Sequence, residues 1–178
     1  MKPSFNRRTF LELSLLAPAL PLPAWAQATV ERRLSLHNLH TGERVDLPYW
    51  IGGSYVADSL ADISRVLRDH RTGQIAAIDP ALLDLLHRVN LDLGASHPFE
   101  IISGFRSPAS NQMLTESTAG VARRSLHMEG KAIDIRLPGV PLADLRLVAL
   151  SLRAGGVGYY PESNFVHLDV GRVRTWGG

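Results

Sequence analysis

Two segments of the chain combine histidine with aspartate at spacings that suit a metal site. The first contains His127 and Asp134, and the second, much later in the chain, contains His167 and Asp169. Imidazole nitrogens and carboxylate oxygens are common zinc ligands, and three of them with an open fourth position are typical of a catalytic site. The chain has no cysteine, so a thiolate metal site and a cysteine nucleophile are both excluded. Any metal must therefore be held by His, Asp or Glu.

Strand geometry would bring these side chains together. Residues 131–137 and 165–170 alternate in the way that β-strands do. Because residues two apart in a strand share a face, His167 shares a face with Asp169, while Asp134 projects away from the apolar neighbours on either side of it. Spacing alone does not establish a metal site, because two histidines and an aspartate occur in most chains. The other histidines have the surroundings of solvated or core-edge residues: His37, His40, His70, His87 and His97.

The elements that would position these residues indicate one α+β domain. Residues 33–38 and 43–47 alternate and predict a hairpin, and apolar residues at helical spacing predict a helix over about 60–70, with Asp58 or Ser59 as its N-cap. Further elements are expected at residues 79–94 (helix), 99–103 (strand), 108–117 (helix), 118–124 (mobile loop), 131–137 (strand), 141–154 (helix), 157–160 (strand) and 165–170 (strand). This order predicts a small antiparallel sheet with flanking helices and a zinc site at the sheet face.

The first 26 residues have the pattern of an export signal. Arg7 and Arg8 precede Phe10-Leu11 and an apolar run over 13–22, and Ala24-Trp25-Ala26 offers a cleavage site. The run is too short to span a membrane, so no transmembrane anchor is expected. Paired arginines followed by Phe-Leu are typical of a twin-arginine signal, with an ordinary secretory signal as the alternative. The prediction is a signal over residues 1–26 and a mature domain over 27–178.

The charge of the mature domain argues against a nucleic-acid partner. Removing residues 1–26 takes away three basic residues and Glu12, so the formal net charge falls from +2 to 0. A nucleic-acid-binding domain is expected to carry a clear basic excess. The oligomeric state is not indicated by any sequence feature.

Three motifs, in order along the chain, resemble those of the zinc D-alanyl-D-alanine peptidase superfamily, and within it the murein endopeptidase K branch. The motifs are Ser103-Gly104-Phe105-Arg106-Ser107, Ser125-Leu126-His127-Met128-Glu129-Gly130-Lys131-Ala132-Ile133-Asp134 and Phe165-Val166-His167-Leu168-Asp169. With further likeness over residues 49–71 and 79–86, the resemblance spans nearly the whole mature chain. It implies one Zn²⁺ per chain held by His127, Asp134 and His167, a periplasmic location, and hydrolysis of peptide bonds in the stem peptides of peptidoglycan.

Two further residues are expected beside the metal, and the resemblance implies a role for the first of them. Arg106 would bind a substrate carbonyl or carboxylate oxygen and stabilise the oxyanion, with a salt bridge that fixes the following helix as the alternative. The residues themselves, rather than the resemblance, indicate that Ser125 supports a neighbouring ligand side chain. It is not expected to act as a nucleophile, because no base lies near it in sequence.

The general base departs from the pattern of the superfamily. Many relatives carry a glutamate three residues before the last histidine or a histidine two residues before it, and those positions are Asn164 and Phe165 here. Asp169 is the first candidate for the base, and it could instead orient a ligand imidazole. Glu162 is the reserve candidate.

Two other functions remain open at this point. Hedgehog-type signalling domains of the same superfamily bind partners through a similar zinc fold, so the missing base is compatible with a non-catalytic, zinc-containing peptidoglycan-binding domain. A D,D-carboxypeptidase or dipeptidase acting on free stem peptides is the second alternative. An endopeptidase needs an open groove for crosslinked chains, whereas an exopeptidase closes around a free carboxylate.

Overall fold

A computed structural model of the chain describes residues 30–117 and 122–177. The predicted export signal lies outside this part of the chain, and so do residues 118–121 of the predicted mobile loop. Within the described residues, no helix has the length and apolar character needed to cross a membrane.

Both strands and helices occur along the described residues. The strands are β1 (Glu31–Asn38), β2 (Arg44–Ile51), β3 (Ser54–Tyr55), β4 (Phe99–Ser103), β5 (Ala132–Arg136), β6 (Gly156–Tyr160), β7 (Phe165–Asp169) and β8 (Arg174–Gly177). The α-helices are α1 (Ala57–Val66), α2 (Pro80–Leu93), α3 (Pro108–Ser117) and α4 (Leu142–Leu152), and a short 3₁₀ helix covers Leu126–Glu129. The predicted mixture of helices and strands is therefore confirmed.

The sheet is larger than the small antiparallel sheet that the sequence predicts. It has eight strands in the order β3-β2-β1-β4-β5-β7-β6-β8. Most neighbouring pairs are antiparallel, but β1–β4 and β6–β8 are parallel. The prediction was wrong because a parallel pair joins strands that are distant in sequence: Leu36 pairs with Phe99 across a connection that contains α1 and α2. Alternation in the sequence predicts where the strands lie, but it does not predict which distant strands pair with each other.

The ends of the first two helices differ in how well the sequence predicts them. Helix α2 begins where expected, since the Asp79 carboxylate accepts a hydrogen bond from the Ala81 N–H at 2.9 Å and Pro80 occupies the first helical position. Gly94, with φ 58°, ends it in the left-handed region. Helix α1 instead begins after Val56, which makes no side-chain cap, so the predicted cap at Asp58 or Ser59 was wrong.

One face of the sheet is covered by helices, which leaves the ligands on the other face. Helix α2 contacts both α4 and β1, and α4 contacts β6 and β7. The apolar side chains of β5 that flank Asp134, Ile133 and Ile135, are fully buried in this core. Because side chains alternate along a strand, Asp134 projects from the opposite face.

Candidate metal centre and active site

Three side chains converge where β5 and β7 pair. Asp134 lies directly opposite His167 in the antiparallel register, and His127 reaches them from the 3₁₀ helix. The Asp134 Oδ1 atom lies 2.8 Å from His167 Nδ1 and 3.3 Å from His127 Nε2, and the two nitrogens are 3.2 Å apart. A tetrahedral zinc with ligand bonds of about 2.0–2.1 Å separates its ligand atoms by about 3.3–3.4 Å. The three atoms therefore fit one zinc ion.

The far nitrogen of each imidazole is held by an acceptor. His127 Nδ1 lies 2.7 Å from the Gly104 carbonyl oxygen, which can only accept, so Nδ1 carries the proton and Nε2 is left free for a metal. His167 Nε2 lies 3.1 Å from the Asp169 Oδ2 atom, so Nε2 donates and Nδ1 is left free. Metal-ligating histidines generally have such an acceptor behind them, because it fixes both the tautomer and the ring orientation.

The 3₁₀ helix that carries His127 is fixed at both ends. At its start the Ser125 hydroxyl accepts a hydrogen bond from the His127 N–H at 3.3 Å. At its end Gly130 has φ 66°, and a Cβ there would collide with the Ala77 carbonyl, so the close approach of the two backbones requires glycine. Ser125 thus contacts the backbone of His127, one of the predicted ligands.

The ligand carboxylate is buried and ionised. Burial works to raise the pKa of Asp134, but the charges and hydrogen bonds of His127 and His167 outweigh it and hold that pKa below its usual range. Burial would lower the pKa of His167, but the hydrogen bonds that its protonated ring makes to Asp134 and Asp169 raise that pKa overall. A metal at Nδ1 must therefore displace the Nδ1 proton. The centre is therefore an anionic carboxylate between two imidazoles, which suits a divalent cation.

Asp169 lies behind the ring of His167, on the side away from Asp134. It is fully buried and accepts hydrogen bonds from the Gly156 and Gly171 N–H groups at 3.0 and 2.9 Å. The Arg174 guanidinium donates to both carboxylate oxygens, at 2.6 and 3.0 Å. Burial works to raise the pKa of Asp169, but the hydrogen bonds from His167 and Arg174 hold it well below its usual range.

Glycines in β6 make room for side chains from β8. A Cβ at Gly156 would collide with Arg174 and with the Asp169 carboxylate, and one at Gly158 would collide with the Trp176 ring. The alternation of Arg174 and Trp176 places both on the same face of β8, next to those glycines. Sequence reasoning missed both residues. The signal that could have found them is the pairing of Gly-x-Gly with Arg-x-Trp near the end of the chain.

Arg106 reaches the metal centre rather than the helix that follows it. Its Nη2 atom lies 3.6 Å from Asp134 Oδ2 and 3.4 Å from the Ser103 hydroxyl, and its side chain is only 11% exposed. The start of α3 is held by a residue that sequence reasoning missed: the buried Asp69 carboxylate accepts a hydrogen bond from the Ser107 N–H at 2.8 Å. The guanidinium is therefore available at the metal centre.

The three ligands and Arg106 line an open cleft of about 760 Å³. Its other walls include Tyr160, Phe165 and Trp176. An extended peptide needs such an open, partly apolar groove beside the reacting groups.

Comparisons with known proteins show the family of the chain. The sequence profile of the family described as peptidoglycan L,D-endopeptidase MepK matches residues 26–176. The chain belongs to this family. Among its relatives, the peptidoglycan L,D-endopeptidase MepK of Escherichia coli strain K12 is 44% identical over 176 residues, which cover 96% of this chain and 97% of the relative. The probable peptidoglycan L,D-endopeptidase MepK of Haemophilus influenzae is 40% identical over 179 residues, covering 97% and 96%. No solved structure matches the chain.

None of the positions considered for a general base contacts His167 Nδ1, the nitrogen that faces the predicted metal. Glu162 is exposed in the turn between β6 and β7 and does not line the cleft. Asn164, in the same turn, has φ 54°, and Phe165 stacks on Tyr160. Asp169 contacts the far nitrogen of His167.

Proposed function

We propose that the chain is a zinc-dependent endopeptidase that hydrolyses the peptide crosslinks of bacterial peptidoglycan in the periplasm. The ligand triangle of His127, Asp134 and His167 on the wall of an open cleft carries this proposal. It is supported by relatives named peptidoglycan L,D-endopeptidase that match nearly the full length of the chain. A zinc ion held there would lower the pKa of the attacking water and polarise the scissile carbonyl.

Asp169 orients a ligand in this proposal and does not act as the base. Its oxygens already accept from Arg174, two backbone N–H groups and His167, so no lone pair is left for a proton from water. A buried carboxylate behind a ligand imidazole fixes the ring and raises its basicity. Arg174 in turn keeps that carboxylate ionised and in place.

Arg106 binds the substrate carbonyl oxygen and stabilises the negative charge that develops on it. Its buried guanidinium lies beside Asp134 on the wall of the cleft. From there it would donate hydrogen bonds to a peptide bound in the cleft. An Arg106→Gln variant should therefore lose roughly 10²–10³-fold in kcat, the usual effect of removing one such donor. Zinc content, measured by atomic absorption, should stay near one per chain. Loss of zinc with kcat restored by added metal would instead make Arg106 a support for Asp134.

The proposed domain boundaries follow the sequence. Residues 1–26 form the export signal, of twin-arginine type, and residues 27–178 form the zinc peptidase domain. This assignment is supported by the export-signal pattern of residues 1–26.

Digestion of purified peptidoglycan tests the function directly. The protein, with and without a chelator, is incubated with intact sacculi, and the released fragments are analysed by mass. An endopeptidase converts crosslinked fragments to uncrosslinked ones, and the chelator stops this. A carboxypeptidase or dipeptidase shortens free stems and leaves crosslinks intact, and a non-catalytic binding domain sediments with the sacculi but releases nothing. Either of the last two outcomes would reject the proposal.

A further inference from the structure

Tyr160 places a phenol hydroxyl in the cleft beside the metal centre. It is the last residue of β6, pairs with Phe165 of β7, and lines the same cleft as His167 and Arg106. Its ring stacks on Phe165, with the ring centroids 4.5 Å apart and 21° between the planes. Stacking of two half-buried rings on adjacent strands limits where the hydroxyl can lie.

The hydroxyl is also held by Trp176. The Trp176 Nε1–H donates a hydrogen bond to the Tyr160 hydroxyl oxygen at 2.8 Å. An indole nitrogen can only donate, so the phenol oxygen is the acceptor in this bond and keeps its own O–H proton for another partner. No group in the part of the chain that the structure describes accepts that proton. The donor is therefore oriented by its neighbour and available in the cleft.

Trp176 connects this hydroxyl to the metal centre. The same indole packs against the His167 ring, with centroids 5.2 Å apart, and lies under the Arg174 guanidinium at 4.8 Å. One side chain thus contacts both a ligand imidazole and the phenol hydroxyl. The packed rings consequently restrict how the hydroxyl can move relative to the ligand triangle, as a preorganised donor requires.

We propose that Tyr160 is a catalytic residue whose hydroxyl donates a hydrogen bond to the oxygen of the scissile carbonyl, and that Trp176 is the positioning residue that orients it. The inference rests on the proposed hydrolytic function. Negative charge grows on that oxygen as water attacks, so a fixed donor stabilises the transition state more than the bound substrate. Tyr160 keeps its proton throughout and complements Arg106; it does not replace the missing base.

Three single variants and one double variant of the full, zinc-loaded protein test this role. Tyr160→Phe keeps the ring and its stack on Phe165 and removes only the hydroxyl. Its kcat on a crosslinked peptidoglycan fragment should fall by roughly 10–10²-fold, because one transition-state donor is lost. KM should stay within about twofold, as expected for an interaction made only in the transition state. Tyr159→Phe is the matched control, since it removes the same group from the neighbouring residue on the other face of β6, and its kcat should be unchanged.

Trp176→Phe tests the positioning role. It removes the indole N–H but keeps an aromatic ring beside His167, so kcat should fall less than in Tyr160→Phe. The double variant should be no slower than Tyr160→Phe alone, because Trp176 acts through the hydroxyl. Additive losses in the double variant would overturn the role of Trp176.

The outcomes separate this inference from the proposed function. A wild-type protein that cleaves no crosslink rejects the proposed function. An active wild type with an equally active Tyr160→Phe variant rejects only the inference. A Tyr160→Phe variant with higher KM and unchanged kcat also overturns it, because the hydroxyl would then contact bound substrate without stabilising the transition state.

Discussion

Arg174 and Asp169 form a bidentate ion pair behind the ring of His167, with guanidinium nitrogens 2.6 and 3.0 Å from the two carboxylate oxygens. The carboxylate is fully buried, whereas the arginine side chain is one-third exposed. A paired arginine satisfies the charge of a carboxylate that has lost its water. The last strand of the sheet, through Arg174, therefore stabilises the carboxylate that holds the ring of His167.

The ion pair leads to a prediction for Asp169→Asn. An amide keeps the shape but loses the charge that faces Arg174 and His167, so the imidazole is held less firmly. Zinc affinity should fall by about 10–100-fold, as for other supports of ligand histidines. Hydrolysis should recover when excess zinc is supplied, as measured by turnover across a zinc titration.

The opposite pattern of results would indicate that Asp169 is the general base. In that case zinc affinity would be unchanged while turnover fell by roughly 10²–10⁴-fold and was not rescued by metal. Asp144→Asn, which changes an exposed acid in the first turn of α4, is the control and should alter neither quantity.

The second prediction concerns the metal ligands themselves. His127→Ala, Asp134→Ala and His167→Ala should each sharply reduce the zinc content below one per chain, because two protein ligands hold zinc far more weakly than three. Zinc is measured by atomic absorption after dialysis against a weak chelator. His97→Ala, which removes an exposed histidine far along the chain from the ligands, should keep full zinc content. Full zinc content in His127→Ala would reject the site.

The resemblance supplies the three expected ligands, and a local sequence pattern predicts where two of them lie. Alternation places Asp134 and His167 on defined faces of two strands, and the structure pairs those strands with the two residues opposite each other. Helix α2 could be predicted equally well, because Asp79 and Gly94 mark its two ends through general capping rules. In both cases the information lies within a few residues of the feature that it predicts.

The residues that support the ligands could not be predicted in this way. Strand β8 has only four residues, too few for a periodic pattern, and it pairs with β6 in parallel. Arg174 reaches Asp169 only because glycines in β6 leave space, and such a relation depends on the sheet order. Asp69 supports Ser107 across the fold for the same reason. Tertiary pairing, unlike capping, has no local sequence signal.

The third prediction concerns export. Arg7 and Arg8 lie in the twin-arginine pattern, where the receptor recognises the pair itself and not only its positive charge. Replacing both by lysine should therefore stop export while keeping the basic N-terminus. Cell fractionation followed by immunoblotting measures the periplasmic share. A variant that still reaches the periplasm normally would indicate an ordinary secretory signal.

The last prediction concerns Asp69 and the pH dependence of stability. Asp69 is buried, and its carboxylate accepts hydrogen bonds from the Ser107 and Arg71 N–H groups at 2.8 and 2.9 Å. Burial works to raise the pKa of Asp69, but the hydrogen bonds from Ser107 and Arg71 outweigh it and lower that pKa overall. The folded state therefore favours the ionised form more than the unfolded state does.

The sign of the pH effect follows from that lowered pKa. The stabilisation is fully present above the unfolded pKa of about 3.9 and is lost as the pH falls from there towards the folded pKa. Asp69→Asn should be less stable than the wild type by about 1.5–3 kcal/mol at pH 7, the range for hydrogen bonds to a charged group. The difference in the free energy of unfolding should shrink as the pH falls to about 3.

Urea unfolding of both proteins at pH 7 and at low pH measures this difference. Protonation of the metal ligands at low pH affects both proteins alike, so the difference between them isolates Asp69. Asp92→Asn, which changes an exposed residue near the end of α2, is the control and should shift the unfolding midpoint little at either pH. A constant difference between wild type and Asp69→Asn across the pH range would reject the ionised, hydrogen-bonded carboxylate as the cause. Equal stability at pH 7 would show that Asp69 does not hold the start of α3.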